Sequence, residues 1–392
     1  MSERENNVHL IITFILLTIK PTFNCIVFIF KAAGIALPLK MIYVYLLLLV
    51  CLSVIIYLYR PPLKNLICYL IILVFYGINY LLATPETKQY FNTDVAAILF
   101  VYAPIACICT TRIINWKPIF DDKRYLIFVD IVIVLSLLSK IKGINTVGYM
   151  SFSYSLLPLW GICLVAALAF GHRPQWVFLI IGGLEGLMYG ARAPLLWIFI
   201  LAVITWCVIS IKNIKERKLP PVIPVLLFLT LLLVVMHYLI PALLDSSFLD
   251  TSYVLKRLSA GTFFISNPRK ESFPICQKII SEMGLSVNGL FYDRTVLPDG
   301  QYAHNIVYEV LMSLGWIFGI PFLLAVFGLI VKAFYKQNYT GIVFVGYFIC
   351  TLFLRYLLSG SIFDETNFVM FLATLYSMQA SCSATTVKKA DV

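Results

Sequence analysis

Residues 41–59 read MIYVYLLLLVCLSVIIYLY and residues 222–240 read VIPVLLFLTLLLVVMHYLI. Each is a run of nineteen residues without a charged side chain, long enough to cross a bilayer core of about 30 Å as a helix, and neither shows the strict alternation of a barrel strand. In hydrocarbon a backbone must satisfy its own polar groups, so such runs become helices. The rest of the chain agrees. It has 392 residues, 61% hydrophobic and only 12% charged, with a mean hydropathy of +0.92. An ordinary soluble protein carries roughly 25% charged residues. The sequence therefore predicts an all-α, polytopic membrane protein.

About twelve spans are expected: 8–30, 41–59, 65–83, 94–111, 125–139, 155–170, 177–190, 194–211, 220–240, 305–334, 340–357 and 365–381. Three regions follow: a nine-span part over 1–240, a long polar loop over 241–304, and a three-span part over 305–392. The pair Lys20-Pro21 is a place where the first span can split. Spans 155–170 and 177–190 are short for a full crossing, and we read them as two tilted or cavity-lining helices. A re-entrant hairpin there would bury His172 and Arg173 at mid-membrane depth. No removable signal peptide, internal repeat, disulfide framework or zinc spacing is read from the sequence.

The formal charge of +11 does not indicate nucleic acid, because the cations sit in short loops and follow the positive-inside rule. With the N-terminus in the cytoplasm, cytoplasmic segments hold Arg60, Lys64, Arg112, Lys117, Lys123, Arg124, Lys212, Lys215, Arg217 and Lys218, among others. The short outer loops hold only Lys31, Lys40, Lys88, Lys140, Lys142 and Arg192. Both termini are then cytoplasmic and the long loop lies outside.

That loop carries Lys256, Arg257, Arg269, Lys270, Lys278 and Arg294 against an equal number of acids. Arginine suits phosphate through its planar fork, whereas each of these charges is as readily a salt-bridged or solvated one. His304 precedes the helix that re-enters the membrane, with Asn305 and Glu309 spaced i, i+4 behind it; the histidine can move a proton, bond a phosphate, or simply cap the interface. Arg192 lies at the outer junction of two spans. Arg355 lies within a span, where a charge faces a cavity or partner, or snorkels outward. Tyr149 and Tyr154, in the stretch 148–154, suit sugar stacking and equally an interfacial belt. No Walker A, GxSxG, HExxH or EF-hand pattern occurs, so neither a cofactor nor a tightly bound metal is expected.

The segment Gly148–Tyr154, the turn Gly190-Ala191-Arg192-Ala193-Pro194, and the string Ala303-His304-Asn305, Tyr308-Glu309, Leu314-Gly315 and Gly319 together resemble the Wzy-type O-antigen or oligosaccharide repeat-unit polymerases and the related O-antigen ligases. The layout is similar across almost the whole chain. One departure is Ala193, where the family often has glycine after the arginine.

The resemblance implies a GT-C-like membrane glycosyltransferase of lipopolysaccharide or other surface-polysaccharide biosynthesis in the bacterial inner membrane. Its substrates would be undecaprenyl-diphosphate-linked glycans, its partners a flippase and a chain-length regulator. By the same resemblance His304, Arg192, Arg269 and Glu309 are candidate catalytic residues, with Asp293 a further candidate base. Lys256, Arg257, Arg294 and Arg355 are candidates for the diphosphate. Tyr149, Tyr154 and the tyrosine beside Ala303 (Tyr302) are candidates for sugar. Rival readings are a ligase acting on lipid A core, a flippase or other transporter, and a membrane scaffold.

Overall fold

The computed structural model describes residues 3–35, 47, 62–142, 148–216, 254, 256, 260, 267–335 and 337–390, without side chains for 267–271 and 380–390. The expected spans 41–59, apart from Leu47, and 220–240 lie outside the described residues. So do Arg257 and most of the first half of the long loop. Among the described residues the fold is all-α, with seven helices long and apolar enough to cross a membrane.

Helix α1 (Glu3–Ala32) is not split at Lys20-Pro21. The proline removes one intrahelical donor, but threonine hydroxyls bond carbonyls on either side of the gap: Thr18 Oγ1 donates to the Phe14 carbonyl at 2.9 Å and Thr22 Oγ1 to that of Thr18 at 2.7 Å. Such local substitution lets proline persist in a span. Then follow α2 (Leu63–Leu82), α3 (Thr93–Arg112), α4 (Lys123–Ile141), α5 (Tyr149–Ala169), α6 (Gln175–Tyr189) and α7 (Arg192–Lys215).

Helix α5 is the axis of the bundle. In its most apolar stretch 83% of residues are buried, against 11% for α2, which therefore turns most of its surface to lipid. Small residues allow the close approach: Gly161 lies under the Tyr347 ring, and a side chain at Gly182 would collide with the Trp160 indole. With 21 residues α5 is a full-length helix rather than the short one expected from 155–170, because Gly148–Tyr154 joins it. Helix α6, at 15 residues, is short as read. The intervening His172 bonds Asp121 at 2.8 Å at one end of the bundle, so no hairpin places it at mid-depth.

The stretch 267–304, the latter part of the long polar loop 241–304, forms a packed cap. Helix α8 (Asn267–Glu282) turns Cys276 and Ile280 onto Leu297, Ala303, Leu311 and Met312. Its apolar residues are few but fall three or four apart, the spacing of one helix face.

Helix α9 (Ile306–Phe334), expected as one span over 305–334, is two helices meeting at Gly315, whose φ of 65° and ψ of −174° leave the helical region. The break exposes backbone acceptors, and the cap supplies donors: Asn288 N and Gly289 N bond the Ser313 carbonyl at 3.2 and 2.9 Å, and Asn288 Nδ2 bonds that of Met312 at 3.1 Å. Helices α10 (Tyr339–Leu357) and α11 (Thr366–Ala390) complete the bundle. One end is tied by Asn6 to Ile114 and by Gln337 to Met378. The other is tied by Tyr76 to Phe363 and by Asn79 to Leu290.

Candidate functional site

Toward this second end α1, α3, α5, α10 and the start of α11 leave a cavity of about 260 Å³. Its charged lining is Lys20, Asp94, Arg355, Asp364 and Glu365; its rings are Tyr102, Tyr154 and Tyr302. Two of these side chains arrive on distorted helix. Tyr102 ends a π-helical turn in α3 (Ile98–Tyr102), and Arg355 sits in a 3₁₀ turn (Leu354–Leu357) that follows a π turn in α10. Such turns rotate a side chain off the regular stripe, and π turns recur at functional sites.

Arg355 donates from Nη2 to Glu365 Oε1 at 2.5 Å, and its guanidinium lies 4.5 Å from the Tyr154 ring centre. A charge within a span is thus paired and stacked rather than snorkelling. Directly behind, Arg294 Nη2 donates to Asp364 Oδ2 at 2.5 Å and packs over Phe291 and Tyr90. Tyr302 accepts the Gly360 amide proton at 3.1 Å. Gly360 has φ +90°, and a Cβ there would sit 2.9 Å from Glu365 Oε1 and 3.1 Å from Arg355 Nε. Only glycine leaves the ion pair room.

Glu309 lies beneath this floor, 1% exposed, accepting from the Ser361 hydroxyl and, at 3.0 Å, from the Ile362 amide. It holds the 359–365 turn and is absent from the cavity lining. Asp293 is fully buried, with Oδ2 accepting from Ala303 N at 2.8 Å. Burial pushes its carboxyl up to about 6, although that amide and Arg294 pull the other way.

Of the residues singled out in the sequence, Arg355, Tyr154 and Tyr302 meet in the cavity, and Arg294 adjoins it through Asp364. His304 does not line the cavity; it takes φ +56° and packs its ring 4.0 Å from that of Tyr302. Asn305 caps α9, bonding Val307 N at 2.8 Å, and reaches the Leu357 carbonyl at 3.1 Å. Arg192 opens α7 beside α5, where Ala191 N bonds Ser153 Oγ at 2.7 Å. Tyr149 is 39% exposed and Lys256 is exposed. The side chain of Arg269, in α8, lies outside the described part. Sequence reading missed Lys20, Asp94, Tyr102, Asp364 and Glu365 as site residues. Lys20 within a span and the adjacent acids at a span start were the available signals.

This arrangement defines a multi-pass α-helical membrane protein with a polar, charged cavity toward one end of the bundle. No protein-family model, curated protein or solved structure matches the chain.

Proposed function

We propose that the chain is a membrane glycosyltransferase that polymerises polyprenyl-diphosphate-linked oligosaccharide units on the outer face of a bacterial inner membrane, with about twelve spans and both termini cytoplasmic. The observation that carries this reading is the cavity, in which a guanidinium–carboxylate pair, Arg355–Glu365, lies among three tyrosines at the end where the cap 267–304 packs. The cation-rich end near Lys117, Lys123 and Lys215 is then cytoplasmic, as the charge rule asks.

In the transfer, an acceptor hydroxyl of one unit attacks the anomeric carbon of the other. The new C–O bond forms as the bond to diphosphate breaks, the diphosphate keeps the electron pair, and the hydroxyl proton passes to a carboxylate. Asp94, on α3, and Glu365, in the turn before α11 and held by Arg355, are carboxylates that reach the cavity from different parts of the chain. Arg294 and Arg355 are already engaged by acids. We assign the leaving diphosphate to other cations that the resemblance singles out, Arg192, Lys256, Arg257 and Arg269.

The test is to supply the purified, reconstituted protein with lipid-linked repeat units and resolve products by length. Wild type gives a ladder; Arg355→Ala and Glu365→Gln give single units. Unchanged ladders from well-folded variants overturn the assignment. Polymer that is built normally but stays on its carrier lipid in a deletion strain indicates a ligase. Lys20, a charge within a span, is also what a carrier of the same glycan would show; movement of the unit across vesicles without elongation selects that reading.

A further inference from the structure

The charges at the cavity cancel. Lys20, Arg355 and Arg294, which reaches Asp364 from behind, are three cations; Asp94, Asp364 and Glu365 are three carboxylates. Two of the pairs are closed at 2.5 Å. Lys20, whose side chain opens into the space, lies within electrostatic reach of all three acids and of Arg355. A diphosphate brings at least two negative charges and asks for a surplus of donors carrying positive charge. Among the described residues this wall has no surplus.

What it does offer is a mixed set of polar side chains. Ser151, Ser155, Thr366 and Asn367 line the cavity beside the Arg355–Glu365 pair. Hydroxyls and an amide both donate and accept. Sugar hydroxyls donate and accept at once, and so match such a set. The Tyr154 and Tyr302 rings supply flat apolar faces for a pyranose. A Cβ at Gly360 would intrude between Arg355 and Glu365, so the wall is shaped as well as charged.

We infer that this cavity is a subsite for an uncharged sugar ring of the glycan, and that the diphosphate is held outside it. The inference rests on the glycosyltransferase reading and narrows it. A uronate would set its own carboxylate against Asp94 and Glu365, so acidic sugars are disfavoured here.

The experiment is ligand-observed saturation-transfer NMR on the purified full-length protein in detergent. The probes are glucose, galactose, mannose and N-acetylglucosamine, with glucuronate and inorganic pyrophosphate as competitors. At least one neutral sugar gives a saturable signal that a tenfold excess of pyrophosphate does not displace, and glucuronate binds more weakly. Asn367→Ala, which removes the amide from the wall, keeps the melting temperature and weakens the sugar about fivefold, the worth of one hydrogen bond. Glu365→Gln removes one negative charge and makes pyrophosphate a competitor. Displacement of sugar by pyrophosphate from the wild type overturns the inference. So does full sugar affinity in Asn367→Ala, or absence of any saturable neutral sugar. If sugar binds as stated while the reconstituted wild type makes no ladder from lipid-linked units, the subsite stands and the polymerase reading falls.

Discussion

Arg294 and Asp364, 70 residues apart in the chain, share a 2.5 Å ion pair with side chains only 8% and 19% exposed. This pair fastens the cap to the turn before α11 and so closes one side of the cavity. Removing one partner of a buried pair strands the other charge, at a cost of about 3 kcal/mol or more. Arg294→Ala and Asp364→Asn are each expected to lower the unfolding midpoint in detergent. The double variant is expected to lose clearly less than the sum. Additive losses would show that the two side chains are not coupled.

Gly315 is the joint of α9. Alanine there takes on a positive φ and collides with the Ser286 carbonyl oxygen, for a loss of roughly 1–3 kcal/mol. Gly328, in the same helix with nothing near its missing Cβ, is the control: alanine there is neutral or stabilising. Thermal melts of the two variants side by side decide the matter. Equal melts would mean that α9 runs straight.

Asp293 makes stability depend on pH. Its carboxyl ionises at about 6 when folded, against an ordinary 3.8. Between those values the unfolded chain has released the proton while the folded one retains it, so folding weakens as pH rises through that window and the penalty is complete above 6. Asn at 293 keeps an acceptor for Ala303 N and removes the charge. Asp293→Asn is expected to gain roughly 3 kcal/mol over wild type at pH 7.5, with the gain shrinking toward pH 4. A constant difference between the two across that range would show that Asp293 is not the source of the pH dependence.

The membrane orientation is open to a direct check. Leu285 in the cap is 70% exposed, and the Arg124 side chain at the opposite end is 86% exposed. In a cysteine-free background, Leu285→Cys is expected to react with an impermeant maleimide added to intact spheroplasts, and Arg124→Cys only after permeabilisation. The reverse pattern inverts the topology and removes the glycan reading with it.

The bundle was legible because lipid imposes its demand residue by residue. Stretches such as Leu63–Leu82 and Arg192–Lys215 carry enough apolar residues to reveal themselves with no knowledge of neighbours. Arg355 was legible for the converse reason, since a charge within a span advertises itself. Its partner was not. Glu365 lies only ten residues on, but a 3₁₀ turn and a positive-φ glycine are needed to fold it back. The cap was hidden by composition: Cys276, Ile280, Leu297 and Met312 make a small core inside a polar stretch, and only the break at Gly315 gives that core something to dock on. Asp94 and Lys20 belong to helices whose approach is set by packing, and no local pattern reports that.

The seam at Ser313 also fixes a length. Two amides from Asn288 and Gly289 converge on one carbonyl, so the connection between α8 and the short turn at Asp293 cannot lose a residue without turning that oxygen toward hydrocarbon. This connection behaves as a gasket, and shortening it is where solvent would first leak into the bilayer interior.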